Sequence, residues 1–161
     1  MERNLLNIQP LQTPSGEIIH EYFGSADKIV TNTDPNYVPK HSMARIEIPV
    51  GKKSEKHFHP ICEESYTIIS GQGYVTIDND RHDVTEGSSV IIPPKARHQI
   101  FNTGNNSLIF FAVCIPPWTA DCSVFEMKDG TEKRRSTGVA FVLYLNKEDA
   151  VRAVQTYNGQ E

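Results

Sequence analysis

Three histidines and one glutamate near the middle of the chain carry side chains that commonly bind metal ions. His57 and His59 are two residues apart, Glu64 follows them, and His98 lies further along the chain. Residues two apart on a β-strand point to the same face, so the first two imidazoles can face one centre. Three neutral imidazoles with one carboxylate suit Fe, Mn, Ni, Co, Cu or Zn. We therefore predict a divalent transition-metal site with these four ligands.

Glycine, proline and asparagine residues around these four ligands complete two sequence motifs. The first motif consists of Gly51, His57, His59, Glu64 and Gly71, and the second of Gly87, Pro93, His98 and Asn102. With both motifs present, residues 40–127 resemble the cupin superfamily. The resemblance implies an all-β fold, the double-stranded β-helix or jelly-roll-like barrel. It also implies that the predicted ligands hold their metal inside this barrel.

Two positions in the motifs leave a choice open. Glu63 would be the ligand if the spacer after His59 in the motif were three residues long, and Glu64 if it were four. We prefer Glu64, because it is separated from Gly71 by the six residues that the motif requires. Lys95 stands where the family usually has glycine, a residue that adopts positive φ at little cost. That difference affects the local turn and none of the ligands.

Size, charge and cysteine content limit the classes of protein that the chain can represent. Its 161 residues and 38% hydrophobic content fit one domain with an appended element. A net charge of −4 argues against a nucleic-acid partner. No apolar run approaches the ~20 residues of a membrane span, and no secretory signal opens the chain. The three cysteines cannot all pair within one chain and show no C-x-x-C spacing, which favours a reducing, cytoplasmic location.

Short runs of alternating apolar and polar residues indicate the strands that must position the ligands. From residue 41 onward, turn residues separate these runs roughly every 8–12 positions, as in antiparallel β-proteins. We predict an N-terminal arm of short strands over residues 1–40 and the barrel over 41–127. Within the barrel, Asn79-Asp80 is predicted as a hairpin turn. Because an open-ended barrel exposes strand edges, we also expect a homodimer.

The last segment, residues 128–161, differs from the barrel. Residues 127–136 are predicted as a polar loop, and a strand and a helix are expected to follow as a β-α appendage. The segment resembles the second half of an RNA-recognition motif domain. Only Phe141 retains a stacking ring, while Thr137 and Val139 replace a basic and an aromatic residue of the motif. A half domain with one ring is expected to bind RNA poorly.

Further residues are candidates for contacts with a small-molecule substrate. Tyr66 follows Glu64 by two, so it can share the cavity and act as a proton donor. Arg45 and Gln99 are candidates for binding the substrate. The resemblance implies a metal-dependent enzyme on a small organic substrate, with dioxygenase chemistry favoured. The alternatives are a non-catalytic or metal-free ligand-binding or isomerase-type cupin and, more remotely, an RNA-associated protein.

Overall fold

A computed structural model describes residues 3–24, 37–119, 122–126 and 130–134. Throughout these ranges the chain forms twelve β-strands and one 3-10 turn, Leu5–Asn7, with no α-helix. The predicted all-β class is thereby confirmed. The predicted strand and helix after residue 136 lie outside the described residues. Within the ranges described, no helix is long and apolar enough to cross a membrane.

The strands form two antiparallel sheets of six strands each. In chain order the strands are β1 Leu11–Gln12, β2 Ile18–Phe23, β3 Ser42–Ile48, β4 His57–Phe58, β5 Glu63–Ser70, β6 Gln72–Ile77, β7 Asp80–Thr85, β8 Ser89–Ile92, β9 His98–Asn102, β10 Leu108–Ile115, β11 Val124–Glu126 and β12 Glu132–Arg134. The first sheet has the order β1-β2-β3-β10-β5-β8, and the second has the order β12-β11-β4-β9-β6-β7. Consecutive strands often lie in different sheets, which is the jelly-roll arrangement expected from the resemblance.

One apolar core lies between the sheets and follows from alternation along the strands. On β10, Leu108 and Phe110 face inward and are almost fully buried, whereas Ile109 and Phe111 lie on the outer face. On β9, Ile100 faces the same core between two inward polar residues. Burying such side chains contributes roughly 1.5–3 kcal/mol each. This packing gives the polar ends of the same strands a rigid support.

The N-terminal segment completes the first sheet at its β3 edge. Strand β2 pairs with β3, with Ile19 opposite Ile46. Strand β1 then pairs with β2. The predicted N-terminal strands therefore lie against the barrel, where side chains of β2 reach its interior cavity.

Two local predictions were wrong. Ile77 pairs with Asp80, so the hairpin turn is Asp78-Asn79, one residue earlier than predicted. Asp78 has φ 53°, a conformation that aspartate tolerates better than most residues. The predicted polar loop over 127–136 contains strand β12, which pairs with β11. The strand could not be recognised from the sequence pattern, because all three of its residues are charged and exposed on the sheet edge.

Candidate metal centre

The structure brings the four predicted ligands together at one end of the barrel. His57 lies in β4 directly opposite His98, the first residue of β9. His59 follows β4, and Glu64 projects inward from β5 in the facing sheet. Their candidate ligand atoms all lie within 4.8 Å of one another. Residues distant in the chain thus form one compact donor set because two sheets face each other.

Backbone carbonyls orient all three imidazoles through Nδ1. These contacts join His57 to Glu55 at 2.8 Å, His59 to Cys122 at 3.3 Å, and His98 to Ala96 at 3.0 Å. When Nδ1 carries the hydrogen for such a contact, Nε2 is left with its lone pair. This is the arrangement that usually orients metal-binding histidines in proteins.

Three of the candidate ligand atoms are buried without a hydrogen-bond partner. They are Nε2 of His59, Nε2 of His98 and Oε2 of Glu64. Oε2 lies 3.3 Å from the first nitrogen and 3.0 Å from the second. A carboxylate oxygen facing two nitrogen lone pairs is unfavourable in a buried site unless a cation or a proton lies among them. The donor set therefore fits a divalent metal ion.

Electrostatics around Glu64 also favour a cation. Burial would raise the pKa of Glu64, but contacts with His59 and His98 hold it well below the ordinary value. Burial would lower the pKa of His59, but Cys122 and Glu64 raise it to about 10. Burial and the nearby His98 lower the pKa of His57 to about 3. Without metal, a proton on His59 therefore balances the carboxylate, and a bound metal ion would take the place of that proton.

Cys114 is a neighbour of the centre that sequence reasoning missed. Its thiol donates to Oε1 of Glu64 over 3.4 Å, so the other carboxylate oxygen is directed toward the histidines. The sequence of β10 is apolar throughout, so it did not indicate that Cys114 faces inward with Phe110 and Ala112. Phe125 was also missed; its ring stacks on that of His57 at 5.3 Å between centroids. No local pattern indicates that contact.

Tyr66, the predicted proton donor, lies inside the barrel next to the centre. Its ring centroid is 6.1 Å from that of His98 and 4.6 Å from that of Phe110. Burial raises the pKa of Tyr66 well above its ordinary value, and the negative charge of Glu64 adds to this effect. The phenol is therefore held protonated and can donate a hydrogen bond into the cavity.

The two predicted substrate-binding residues lie away from the centre. Arg45 is on the outer face of β3 and pairs with Glu47 at 3.3 Å. Gln99 lies on the outer face of β9, where its amide donates to the carbonyl of Ser54. Glu63, the alternative ligand, is exposed, and only the adjacent Glu64 joins the donor group. In each strand, the neighbour of an inward residue points outward.

A cavity of about 560 Å³ connects the candidate centre with the N-terminal strands. Its lining includes ring and candidate ligand side chains, namely His57, His59, Glu64, Tyr66, Trp118 and Phe125. Residues of the N-terminal segment also line it, among them Asn4, Asn7, Thr13, Ile19 and Glu21. The volume is in the range of pockets that hold small organic ligands. A molecule in this cavity would contact the metal ligands directly.

Lys95 adopts the backbone conformation that the motif usually assigns to glycine. Its φ is 72°, in the left-handed region. Its amide donates to the carbonyl of His59 over 2.7 Å, so the turn is tied to a ligand. The turn therefore keeps its shape with lysine at a cost in backbone strain.

Comparisons with known proteins show the family. The family model described as a cupin domain matches residues 44–114. The uncharacterized protein MJ1618 of Methanocaldococcus jannaschii is 36% identical over 114 residues, which cover 70% of this chain and 83% of that protein. With the fold and both motifs present, the chain belongs to the cupin superfamily.

Solved structures support the same fold. The Streptomyces nucleoside dehydratase Pac13 gives a TM-score of 0.60 at 14% identity, covering 83% of this chain and 91% of that one. A predicted oxalate decarboxylase of Thermotoga maritima gives 0.55 at 22% identity, covering 72% and 99%. Identities this low show the fold alone.

A second family model, the RNA recognition motif, matches residues 122–161. Of these, the structure describes 122–126 and 130–134, and β11 there pairs with β4 of the barrel next to His57. The start of the matched segment is thus part of the cupin sheet. Phe141, the residue that retains a stacking ring of that motif, lies outside the described residues.

Proposed function

We propose that the protein is a metal-dependent enzyme acting on a small organic substrate, with dioxygenase chemistry favoured. The observation that carries the proposal is the buried, unpartnered set of His59, His98 and Glu64 atoms beside an open cavity. A closed structural site would have no such cavity at its ligands. Structural zinc sites also usually contain thiolate ligands, and this donor set contains none.

His57, His59, Glu64 and His98 would hold the ion. Four protein ligands leave one or two positions of an octahedral ion free for substrate. A bound redox-active ion would supply oxidation chemistry, and a redox-inert ion would polarise a carbonyl or carboxylate. Fe, Mn, Ni, Co, Cu and Zn all suit this set, and Fe or Mn suits the oxygenase proposal.

The chain's own residues bind and orient the substrate. Trp118 and Phe125 offer apolar ring surface beside the ligands, which excludes water from an organic substrate. The protonated Tyr66 can donate a hydrogen bond to an oxygen of the bound molecule. Cys114 keeps Oε1 of Glu64 engaged and so fixes the orientation of that carboxylate. Each of these contacts limits how a substrate lies against the centre.

Elemental analysis by plasma mass spectrometry tests the metal. Purified protein is expected to contain close to one transition-metal ion per chain, and the His57→Ala/His59→Ala double variant is expected to contain none. The matched control is His20→Ala/His82→Ala, which removes two histidines outside the centre. Metal absent from the wild-type protein even after reconstitution would contradict the proposal. With metal loaded, O₂ uptake over a substrate panel tests the oxygenase version, and no uptake would count against it.

One observation favours a second candidate, a metal-free cupin that binds or dehydrates a small ligand. His59 and Glu64 can form a buried ion pair without metal, because the pKa of His59 is raised and that of Glu64 is lowered. The Pac13 dehydratase has a similar fold. Thermal stabilisation by a ligand after complete removal of metal would support this candidate.

We further propose that the protein is a homodimer. Strand β8 is at the edge of the first sheet as described, and it carries the exposed Ile91, with the exposed Ile69 on the adjacent β5. Exposed β-branched residues at a sheet edge are readily covered by a second copy. Light scattering is expected to give twice the monomer mass, and a monomer at all working concentrations would contradict this proposal.

A further inference from the structure

Two of the three cysteines contact each other beside the candidate metal centre. The thiol of Cys62 donates to Sγ of Cys122 over 3.9 Å, although the two are 60 positions apart. Cys62 is buried in the loop that joins His59 to Glu64, and Cys122 is half-buried. The third cysteine, Cys114, instead contacts the carboxylate of Glu64. The chain therefore contains one thiol pair and one separate thiol.

Cys122 also holds the ligand His59. Its carbonyl lies 3.3 Å from Nδ1 of His59, and its sulfur lies 3.8 Å from the same nitrogen. The hydroxyl of Ser123 lies 3.4 Å from that nitrogen as well. The sulfur is itself positioned by the amide of Thr119, which donates to it over 3.4 Å. Any displacement of this sulfur therefore changes the surroundings of the atom that orients His59.

We propose that Cys62 and Cys122 are a redox-modification site. A hydroperoxide oxidises the two thiols to a Cys62–Cys122 disulfide, and this disulfide changes how well the centre retains its metal. The disulfide follows from the thiol contact alone. Its effect on metal retention rests on the proposed function.

The oxidation balances with hydrogen peroxide as the two-electron oxidant. The sulfur of Cys122, the more exposed of the pair, attacks one peroxide oxygen; the O–O bond breaks, and the other oxygen leaves as water. The resulting sulfenic acid is attacked by the sulfur of Cys62. The S–S bond forms, the S–O bond breaks, and the hydroxyl leaves as a second water with the thiol proton of Cys62. Two thiols and one peroxide thus give one disulfide and two waters.

The geometry favours this pair over the other combinations. A disulfide bond is about 2.05 Å long, so sulfurs 3.9 Å apart must approach by about 2 Å. Any movement of the Cys122 sulfur in this approach changes its 3.8 Å contact with Nδ1 of His59. Cys114 is engaged by Glu64, and the structure gives it no such contact with either of the other sulfurs. Oxidation is therefore expected to affect His59 first among the ligands.

The experiment uses the full-length reduced protein loaded with Zn²⁺, which does not itself react with peroxide. After treatment with hydrogen peroxide, free thiols are alkylated and the intact mass and peptides are analysed. We expect one alkylated cysteine, Cys114, together with a linked Cys62–Cys122 peptide, and three alkylated cysteines after reduction. Competition with a chelator is expected to show a change of about 10-fold or more in Zn²⁺ affinity on oxidation, the range seen when groups that orient ligands are altered.

Single variants make the assignment specific. Cys62→Ser and Cys122→Ser are each expected to abolish the disulfide, whereas the Cys114→Ser control is expected to retain it. Cys62→Ser and Cys122→Ser each remove one sulfur of the disulfide. If one of them does not fold, the other still tests the assignment. No disulfide, or one that includes Cys114, would overturn the modification site. A disulfide with unchanged Zn²⁺ affinity would overturn the coupling, and no Zn²⁺ binding by the reduced protein would overturn the proposed function while the linked peptide still tests the thiol pair.

Discussion

The two ends of the barrel interior are built by the same alternation of side chains but differ in chemistry. On β5 the inward positions run from Glu64 through Tyr66 to Ile68, and on β9 they run from His98 to Ile100. At the first end, buried nitrogen and oxygen atoms face each other without hydrogen bonds. At the second end, almost fully buried apolar side chains fill the space. Periodicity thus decides which residues face inward, and position along the strand decides whether they pack or bind.

The largest expected effect is on the apolar end. Phe110→Ala is expected to lower the free energy of unfolding by about 3–5 kcal/mol, because it leaves a cavity in a core that cannot fully close. Phe111→Ala is the matched control, since Phe111 lies on the outer face and contacts Tyr22 only edge-on at 6.0 Å. Denaturant titration measures both variants. Equal losses would contradict the division between inner and outer positions.

A smaller effect is expected at the polar end, and it concerns metal rather than folding. Glu64→Gln removes the carboxylate charge with little change in volume, so metal affinity is expected to fall by about 100-fold or more. Glu63→Gln changes the exposed neighbour and is expected to leave affinity within about 2-fold. Chelator competition gives both values. A greater loss in the Glu63 variant would show that the ligand had been assigned to the wrong glutamate.

Acid is expected to destabilise the polar end before it affects the apolar end. The pKa of His57 is lowered to about 3 in the folded metal-free protein, against 6.5 when unfolded. A depressed pKa contributes stability above the unfolded value, and this contribution is lost as the pH falls below about 6.5. The contribution of Glu64, whose folded pKa is also lowered, is lost only below about 4.5. The pKa of His59 is raised to about 10, so its contribution is present below about pH 6.5 and is lost as the pH rises toward 10.

Thermal melts of the metal-free protein between pH 6 and 5 therefore report mainly on His57, because this window lies below the unfolded pKa of His59 and above that of Glu64. One titrating group changes the free energy of unfolding by at most about 1.4 kcal/mol per pH unit. The His57→Gln variant is expected to flatten the pH dependence, and the His82→Gln control, which changes an exposed histidine, is expected to retain it. An unchanged slope in the first variant would show that another group is responsible.

The smallest expected effect is at the turn that supports a ligand. Lys95→Gly is expected to raise the free energy of unfolding by about 1 kcal/mol, because it removes left-handed strain that exceeds the entropy cost of glycine. Lys53→Gly, in an extended segment, is the matched control and is expected to destabilise the protein by about 0.5–1 kcal/mol. Chemical denaturation at fixed metal content measures both. A loss of stability in the Lys95 variant would show that the backbone at this position is not strained.

Much of the barrel could be predicted because its strands show clear alternation. On β5, Glu64, Tyr66 and Ile68 occupy every second position, so their common face could be derived before any contact was known. Strand β10 is apolar at every position, and its inward face became known only from the structure. Strand β12 could not be predicted in this way. Its three residues are charged and exposed, and it forms because β11 offers an unpaired edge to it. The hairpin turn could not be placed in this way either. Asp78-Asn79 and Asn79-Asp80 are both polar pairs, and only the pairing of β6 with β7 distinguishes them.

The candidate ligands could be predicted from spacing, but their surroundings could not. Glu64 was distinguished from Glu63 by its distance from Gly71. Arg45 and Gln99 were reasonable candidates by residue type, yet alternation places each on the face opposite the centre. The contact between Cys62 and Cys122 joins segments that no local pattern relates.

The sequence by itself determined the class of fold, the four-residue donor set and the position where a lysine replaces glycine. These are local properties, because alternation, spacing and backbone preference act over a few residues. The tertiary structure alone decided that Cys114 orients Glu64, that Cys122 holds His59 and that the N-terminal strands line the cavity. Each of these contacts joins residues far apart in the chain, and the pairing and packing of the two sheets bring them within a few ångströms.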